Sequence, residues 1–384
     1  MSTIQNLFQQ AQLAEAAYAN FFDNSGNLVT TVAKLTGALT TGGMKFSAAQ
    51  AAAFAADWSV VSQQPNTSNG FSATVFKNNA TGEYVFAARG TEPPAIFTDW
   101  ATNLGDVGSD GIAISQGLDM FNYYQQLIGA SGAPVAQYKD IPSLHPDDPV
   151  SYPPQIVRLA DATATGELSA QPTITAVGHS LGGHLAMMLS RMTTHVGTVT
   201  TLVAPGFDSI ASVAYPLTSE GFFSLLGTAT GLSSMTNGWN TTSMTHLDVQ
   251  GDLVHVIGTT PGSPQDLFSE TAGQNPISAH DKRAMTDSLA LYNLLATLDP
   301  SLNTDPNGIT KLTGILNASS NIAANSLESA VSAPGKLFNV PNAIVSGNVF
   351  DGSGRDKLFA NGGNDNDRRE AMNDTRYGSE RLVA

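Results

Sequence analysis

From about residue 170 to residue 300 the chain alternates short apolar runs with helix-periodic segments, and this alternation constrains its fold more than any other feature. "PTITAV" (172–177), "TVTTLVAPG" (198–206) and "MTHLDVQGD" (244–252) read as strands. Helical segments lie at 184–195 and 281–298, the second with Ala284, Met285, Leu289, Leu291, Leu294, Leu295 and Leu298 at apolar spacing. Strands interleaved with helices predict an α/β fold, a mostly parallel central sheet flanked by helices. Upstream, "GFSATVFKNNATGEYVFAARG" predicts a hairpin around Asn-Asn-Ala-Thr-Gly. The first fifty residues and 112–128 read as helical, and 131–155, rich in Pro, Asp and Tyr, as a surface loop.

The junction "TAVGHSLGGHLAMML" (175–189) joins an apolar run directly to a helix through Gly-His-Ser-Leu-Gly-Gly. Gly178 and Gly182 stand two positions either side of Ser180, the Gly-x-Ser-x-Gly pattern of a nucleophile elbow. A serine in such a turn projects its hydroxyl above the sheet edge, and side chains at the flanking glycines would collide with backbone. The N–H of Leu181, at the helix start, then points at an oxyanion. The competing reading is a glycine-rich turn that carries an incidental serine.

A nucleophilic serine needs a base and an acid. With the chain order Ser, then acid, then His, the histidines left are His246, His255 and His280. His246 falls inside a strand and His255 is only three residues from Asp252, whereas His280 sits in the loop "PISAHD" before the last strong helix. Asp208, Asp248, Asp252 and Asp266 lie between Ser180 and His280. Asp252 ends a strand and enters a loop, where a carboxylate can orient an imidazole; Asp208 is its main competitor. A second oxyanion donor fits the loop after "YVFAARGTEPP", where Thr91 offers its N–H, unless Arg-Gly-Thr simply turns a hairpin.

Composition narrows the partners. The 384 residues hold 17 basic and 32 acidic side chains, a formal charge of -15, and no cysteine. An acidic field of this size argues against nucleic acid, because no basic patch can release phosphate counterions. Disulfides and cysteine-ligated metals are excluded. The N-terminus lacks the basic flank and apolar core of a secretory signal peptide, and no apolar run is long enough to cross a bilayer. Nothing in the composition fixes an oligomeric state.

These residues resemble the class 3 lipases of the α/β-hydrolase fold. The resemblance rests on Phe86, Arg89-Gly90-Thr91, Asp99-Trp100, Asp106, Gly178 to Gly183, Asp252-Leu253-Val254 and His280, in the family's order over about residues 10–298. His255 departs from it, since the family commonly has proline after Asp-x-Val. The resemblance implies a triad of Ser180, Asp252 and His280, an oxyanion hole from Thr91 and Leu181, and hydrolysis of acylglycerol esters at an oil–water interface without a cofactor for the chemistry. The rivals are a phospholipase A1, a short-chain carboxylesterase, and a calcium-dependent binding module on an esterase scaffold.

Two further segments carry expectations. The insert 207–243 places Phe207, Phe222, Phe223, Leu225, Leu226, Leu232, Met235 and Trp239 among Gly, Ser and Thr, either as an apolar lid or acyl pocket or as core. Beyond a catalytic domain 1–300, residues 301–345 read as a weakly helical linker and 346–384 as a Gly/Asp-rich tail. In the tail "DGSGRDKLF" matches the calcium-binding nonapeptide repeat at all but its first position, and "ANGGNDNDR" matches it imperfectly, with Asp356 and Asp365 as candidate ligands for Ca2+. The rival reading is a Gly/Asn-rich end with no ion. The repeats resemble those of bacterial lipases exported without a signal peptide, which implies an extracellular protein; a non-functional tail would leave it cytoplasmic.

Overall fold

The computed structural model describes residues 3–41, 46–90, 107, 111–141, 154–171, 173–208, 218–249, 252–269 and 279–319. Helices α1 (Thr3–Ala16), α2 (Val32–Thr40) and α3 (Ala48–Asp57) precede strand β1 (Trp58–Gln64) and the hairpin β2 (Ala73–Asn78) and β3 (Tyr84–Ala88). Then follow α4 (Ile114–Ile128), the short strands β4 (Pro134–Val135), β5 (Tyr138–Ile141), β6 (Gln155–Arg158) and β7 (Ala162–Thr163), and β8 (Ile174–His179). Helix α5 (Leu181–Met192), β9 (Val196–Leu202), α6 (Ser219–Thr230), β10 (Met244–Val249) and β11 (Pro264–Leu267) lead to α7 (Lys282–Leu298), α8 (Ser301–Thr304) and α9 (Gly308–Ser319).

The main sheet has the order β1-β2-β3-β8-β9-β10-β11, and two ribbons, β4 with β7 and β5 with β6, stand apart from it. Its centre is parallel: β8 pairs in parallel with both β3 and β9, while β2 and β3 form the expected antiparallel hairpin, Ala73 opposite Ala88. All six residues of β8 are buried, as a strand covered on both faces requires. Its one hydroxyl, Thr175, is satisfied by donation to Glu83 Oε1 at 2.8 Å and lies 3.0 Å from Thr198 Oγ1. The α/β class read from the alternation is therefore the class observed. The 131–155 segment is a correction in part: Pro134–Val135 and Tyr138–Ile141 are strands, because each finds a partner strand outside the segment's first half, and the centre of the segment lies outside the described residues.

The chain divides into two compact units, one from residues 1–59, 247–253 and 265–384, the other from 60–246 and 254–264. The second unit has a core built by β2, β3, β8, α4, α5 and the 207–243 insert. Phe207, Phe222, Phe223, Leu226 and Met235 of the insert are buried in that core, with Leu225 and Trp239 packed against it and only Leu232 exposed, at 39%. Such burial is common to a core segment and to a closed lid; residues 209–217 lie outside the described residues. Arg191, at the end of α5, fastens the insert. Its side chain is 1% exposed, donates from Nε to the Met235 carbonyl at 3.0 Å, and forks onto the Glu220 carboxylate, which is 65% exposed. Its guanidinium lies 4.3 Å from the Phe223 ring centre and 5.0 Å from that of Trp239. The Arg191 hydrogen bonds hold the Glu220 carboxyl below the usual range.

In the first unit α1 packs along α7, burying Ile4, Leu7, Ala11 and Ala14 on one side and Leu289, Tyr292 and Leu295 on the other. Asp281 caps α7 by accepting from the Arg283 N–H. The expected boundary at residue 300 falls inside this unit. Leu312 and Leu316 of α9 are fully buried, and Thr313 donates to the Asp266 carbonyl at 2.9 Å while pairing with the Tyr292 hydroxyl at 2.7 Å. Spacing of Ile309, Leu312 and Leu316 along one face gives α9 a packed side, which a weakly helical linker would lack. The tail 346–384, with Asp356 and Asp365, lies outside the described residues.

Candidate active site

In the second unit β8 ends at His179, α5 begins at Leu181, and Ser180 alone makes the turn. It does so with φ 58 and ψ -134, a left-handed conformation that costs an L-residue about 1–3 kcal/mol and is kept only where surroundings enforce it. The enforcement is visible. A Cβ on Gly178 would run into the Gly182 carbonyl, a Cβ on Gly182 into the Ala88 carbonyl, and one on Gly183 would meet Ala204 Cβ at 2.6 Å. Glycine at each position lets α5 start hard against the ends of β3 and β8. The Ser180 N–H donates to the Leu202 carbonyl at 2.9 Å, and the Ser180 carbonyl accepts from Gly183 at 2.8 Å, opening the helix. Leu181 is the first helical residue, so its N–H has no acceptor one turn back and faces the same end as the helix dipole's positive pole.

In the first unit the structure brings Asp252 and His280 together. His280 Nδ1 donates to Asp252 Oδ2 across 2.5 Å, with both side chains almost wholly buried, 3% and 0% exposed. Asp252 leaves β10 in a turn whose N–H returns to the Val249 carbonyl at 3.1 Å, and His280 lies just before the α7 cap at Asp281. With its proton on Nδ1, a neutral His280 presents Nε2 as a base. A buried carboxylate that accepts from one imidazole nitrogen can orient the ring and stabilise its cation.

Two of the competing side chains, Asp208 and His246, are engaged elsewhere. Asp208, with φ 55, accepts from the Ser219 N–H at 2.7 Å and from its hydroxyl at 2.6 Å, so it holds the start of α6. Asp248 is buried within β10, and Asp266 is exposed on β11. His246 donates from Nε2 to the Pro261 carbonyl at 2.6 Å and accepts on Nδ1 from Thr201 at 2.8 Å; burial holds its pKa below the usual histidine value. Thr91, Asp99, Trp100 and Asp106 lie outside the described residues. Among the described residues no group of three or more His, Asp or Glu is placed to hold a metal ion, and no helix is long and apolar enough to cross a membrane.

One residue of the site was given no role by the sequence reading. His184, one turn beyond Ser180 on α5, is fully buried, and desolvation pushes its pKa down to about 4. Its Nε2 accepts from the Ala113 N–H at 3.3 Å, which leaves Nδ1 as the donor to the Gly206 carbonyl at 3.1 Å. The signal was present: a histidine four residues after the elbow serine, in a mostly apolar helix.

No family model matches the chain, and no curated protein matches it. Solved structures that resemble it include the Lip2 lipase from Yarrowia lipolytica, with TM-score 0.32 and 16% identity over 65% of this chain and 74% of that one. A triacylglycerol lipase from Penicillium expansum has TM-score 0.30 and 14% identity over 75% and 87%. A lipase from Rhizopus microsporus var. chinensis has TM-score 0.28 and 13% identity over 65% and 67%. Likenesses at these scores carry no weight for function, and the fold class follows from the strand order and parallel pairings above.

Proposed function

We propose that the chain is a serine hydrolase that cleaves carboxylic esters through an acyl-enzyme on Ser180, with acylglycerols as its substrate class. The observation that carries this reading is the Ser180 turn: a non-glycine residue held at φ 58 between a buried parallel strand and a helix N-terminus, by glycines that admit no side chain. The buried Asp252–His280 pair supports it, and so does the sequence resemblance in motif order.

In this reading Ser180 Oγ attacks the ester carbonyl carbon as its proton passes to His280 Nε2. Asp252 keeps the proton of the other nitrogen in place and stabilises the imidazolium. The Leu181 N–H, with that of Thr91, binds the oxyanion of the tetrahedral intermediate. Collapse breaks the bond to the alkoxy oxygen, which takes the proton from His280 and leaves as the alcohol. Water then attacks the acyl-enzyme, gives its proton to His280, and the acid is released with return of that proton to Ser180. Calcium, held at Asp356 and Asp365, would be structural and serve an exported protein; it enters no step.

The test is hydrolysis of p-nitrophenyl esters from C4 to C16 by the protein and by Ser180→Ala, together with labelling by a fluorophosphonate. Turnover that rises with chain length and falls at least about 10^4-fold in Ser180→Ala supports the reading. Turnover confined to C4 makes the protein a short-chain esterase. Absence of turnover on these esters and on phosphatidylcholine, with no labelling of Ser180, overturns it in favour of a binding module.

A further inference from the structure

The segment after β9, Val203–Asp208, is strained at both ends: Val203, a β-branched residue, has φ 43 and Asp208 has φ 55. Such outliers persist only where several contacts over-determine them, and they gather at functional sites. Here the contacts come from two segments, Ile257–Thr259 and Gly111. Gly206 N–H donates to Ile257 at 2.7 Å, Phe207 exchanges hydrogen bonds with Thr259 at 2.9 and 2.6 Å, and Asp208 N–H donates to the Gly111 carbonyl at 3.0 Å. Because β8 and β9 run parallel, this segment leaves the sheet at the same end as Ser180, the end where ligands of open α/β sheets bind.

His184 lies beneath it. On opposite edges of one ring it donates to Gly206 and accepts from Ala113, the residue before α4, while its face lies 4.2 Å from the Phe207 ring. Phe207 in turn stacks 4.5 Å from Trp239 of the insert. A carboxamide can make one of the two hydrogen bonds and a phenyl ring only the stacking; imidazole alone does all three. Four residues along a helix is about 6 Å of rise, so His184 and Ser180 sit on one face a turn apart.

We propose that His184 is a positioning residue for ester cleavage: its neutral ring ties the strained Val203–Asp208 segment and the Gly111–Ala113 segment to the helix that carries Ser180, which sets the walls of the crevice relative to the nucleophile. The proposal rests on the ester-hydrolase reading. The stacked ring and paired edges also explain why this position, in a helix that could bury a leucine, is a histidine.

The experiment compares wild type, His184→Phe and His184→Asn by p-nitrophenyl butyrate kinetics and by hydrogen exchange of peptides covering 111–118 and 203–208. Wild-type turnover with labelling of Ser180 comes first; its absence would refute the ester reading, while the exchange arm still tests the role of His184 as a tie. His184→Phe is expected to lower kcat about 10- to 100-fold with KM within twofold, and to speed exchange in both peptides. His184→Asn keeps a donor where Nδ1 stood and loses the Nε2 acceptor. It should restore protection at 203–208, leave 111–118 exchanging fast, and recover part of kcat. Wild-type kcat in His184→Phe, or loss of kcat with unchanged exchange in both segments, overturns the proposal. If His184→Phe does not fold, the split between the two peptides in His184→Asn decides alone: equal exchange in both refutes the two-sided tie.

Discussion

Lowering the pH from 7 to 4 should remove about 3 kcal/mol of folding stability through His184 alone. The ring is fully buried, and desolvation holds its pKa at about 4 although the Pro205 and Gly206 carbonyls and the Asp208 carboxylate all favour the charged form. In the unfolded chain the same side chain titrates near 6.5. Between those two values the unfolded state binds a proton that the folded state refuses, so stability is intact above about pH 7 and falls as the pH drops through 6.5 toward 4. At about 1.36 kcal/mol per pH unit the loss over that window is about 3 kcal/mol. Protonation would also turn Nε2 into a donor facing the Ala113 N–H, so the folded state resists the charge by geometry as well as by burial. The assay is urea denaturation followed by tryptophan fluorescence at pH 7, 5.5, 4.5 and 4, on wild type and His184→Asn. The asparagine cannot titrate, while the carboxylates and His246 contribute equally to both proteins and cancel in the difference. Wild type should lose about 3 kcal/mol more than the variant from pH 7 to 4; parallel curves would refute a buried, uncharged His184.

Other substitutions test other parts of the structure. Asp252→Asn should lower kcat about 10^4-fold with KM little changed, because the amide favours the wrong tautomer of His280; steady-state ester kinetics would show it, and a loss under tenfold would remove Asp252 from the catalytic set. Glu220→Ala, at an exposed residue, is expected to cost about 3 kcal/mol by stranding the buried Arg191 guanidinium. Arg191→Met should cost less, since it returns a carboxylate to water and leaves one carbonyl without its donor. The reverse order in urea midpoints would mean that the guanidinium is hydrated. Leu312→Ala should destabilise by about 3 kcal/mol in the same assay, and an effect below about 1 would detach α9 from the core of its unit.

What could be read from the sequence follows the range of the forces involved. The Ser180 turn was legible because its steric demands are met within five residues: Gly178 and Gly182 must lack side chains whatever surrounds them. The β2–β3 hairpin was legible for the same reason, its turn being closed by Asn78 and residues within five positions of it. Asp252 was preferred to Asp208 on its position at a strand end alone, since each follows a strand; their distant partners, Ser219 for one and His280 for the other, are tertiary. The insert stayed ambiguous because a lid and a core present the same apolar spacing; the stacking of Phe223 on Arg191 of α5 is a tertiary fact. Strand β11 went unseen because "PQDL" is exposed over most of its length and pairs only as an edge. Helix α9 was underweighted since its Gly, Thr and Asn content diluted a buried face of three residues.

The first unit is discontinuous, and that dictates an order of events during synthesis. Its opening helix, α1, finds its packing partner α7 only after Lys282–Leu298 has been made, whereas the second unit is complete by residue 264. On a ribosome that emits the chain N-terminus first, α1 must therefore wait, with Leu7, Ala11 and Ala14 uncovered, while the elbow-bearing unit is already made. The Ser180 turn can mature before its proposed base exists, so a nascent chain would hold the proposed nucleophile in place long before His280 is made.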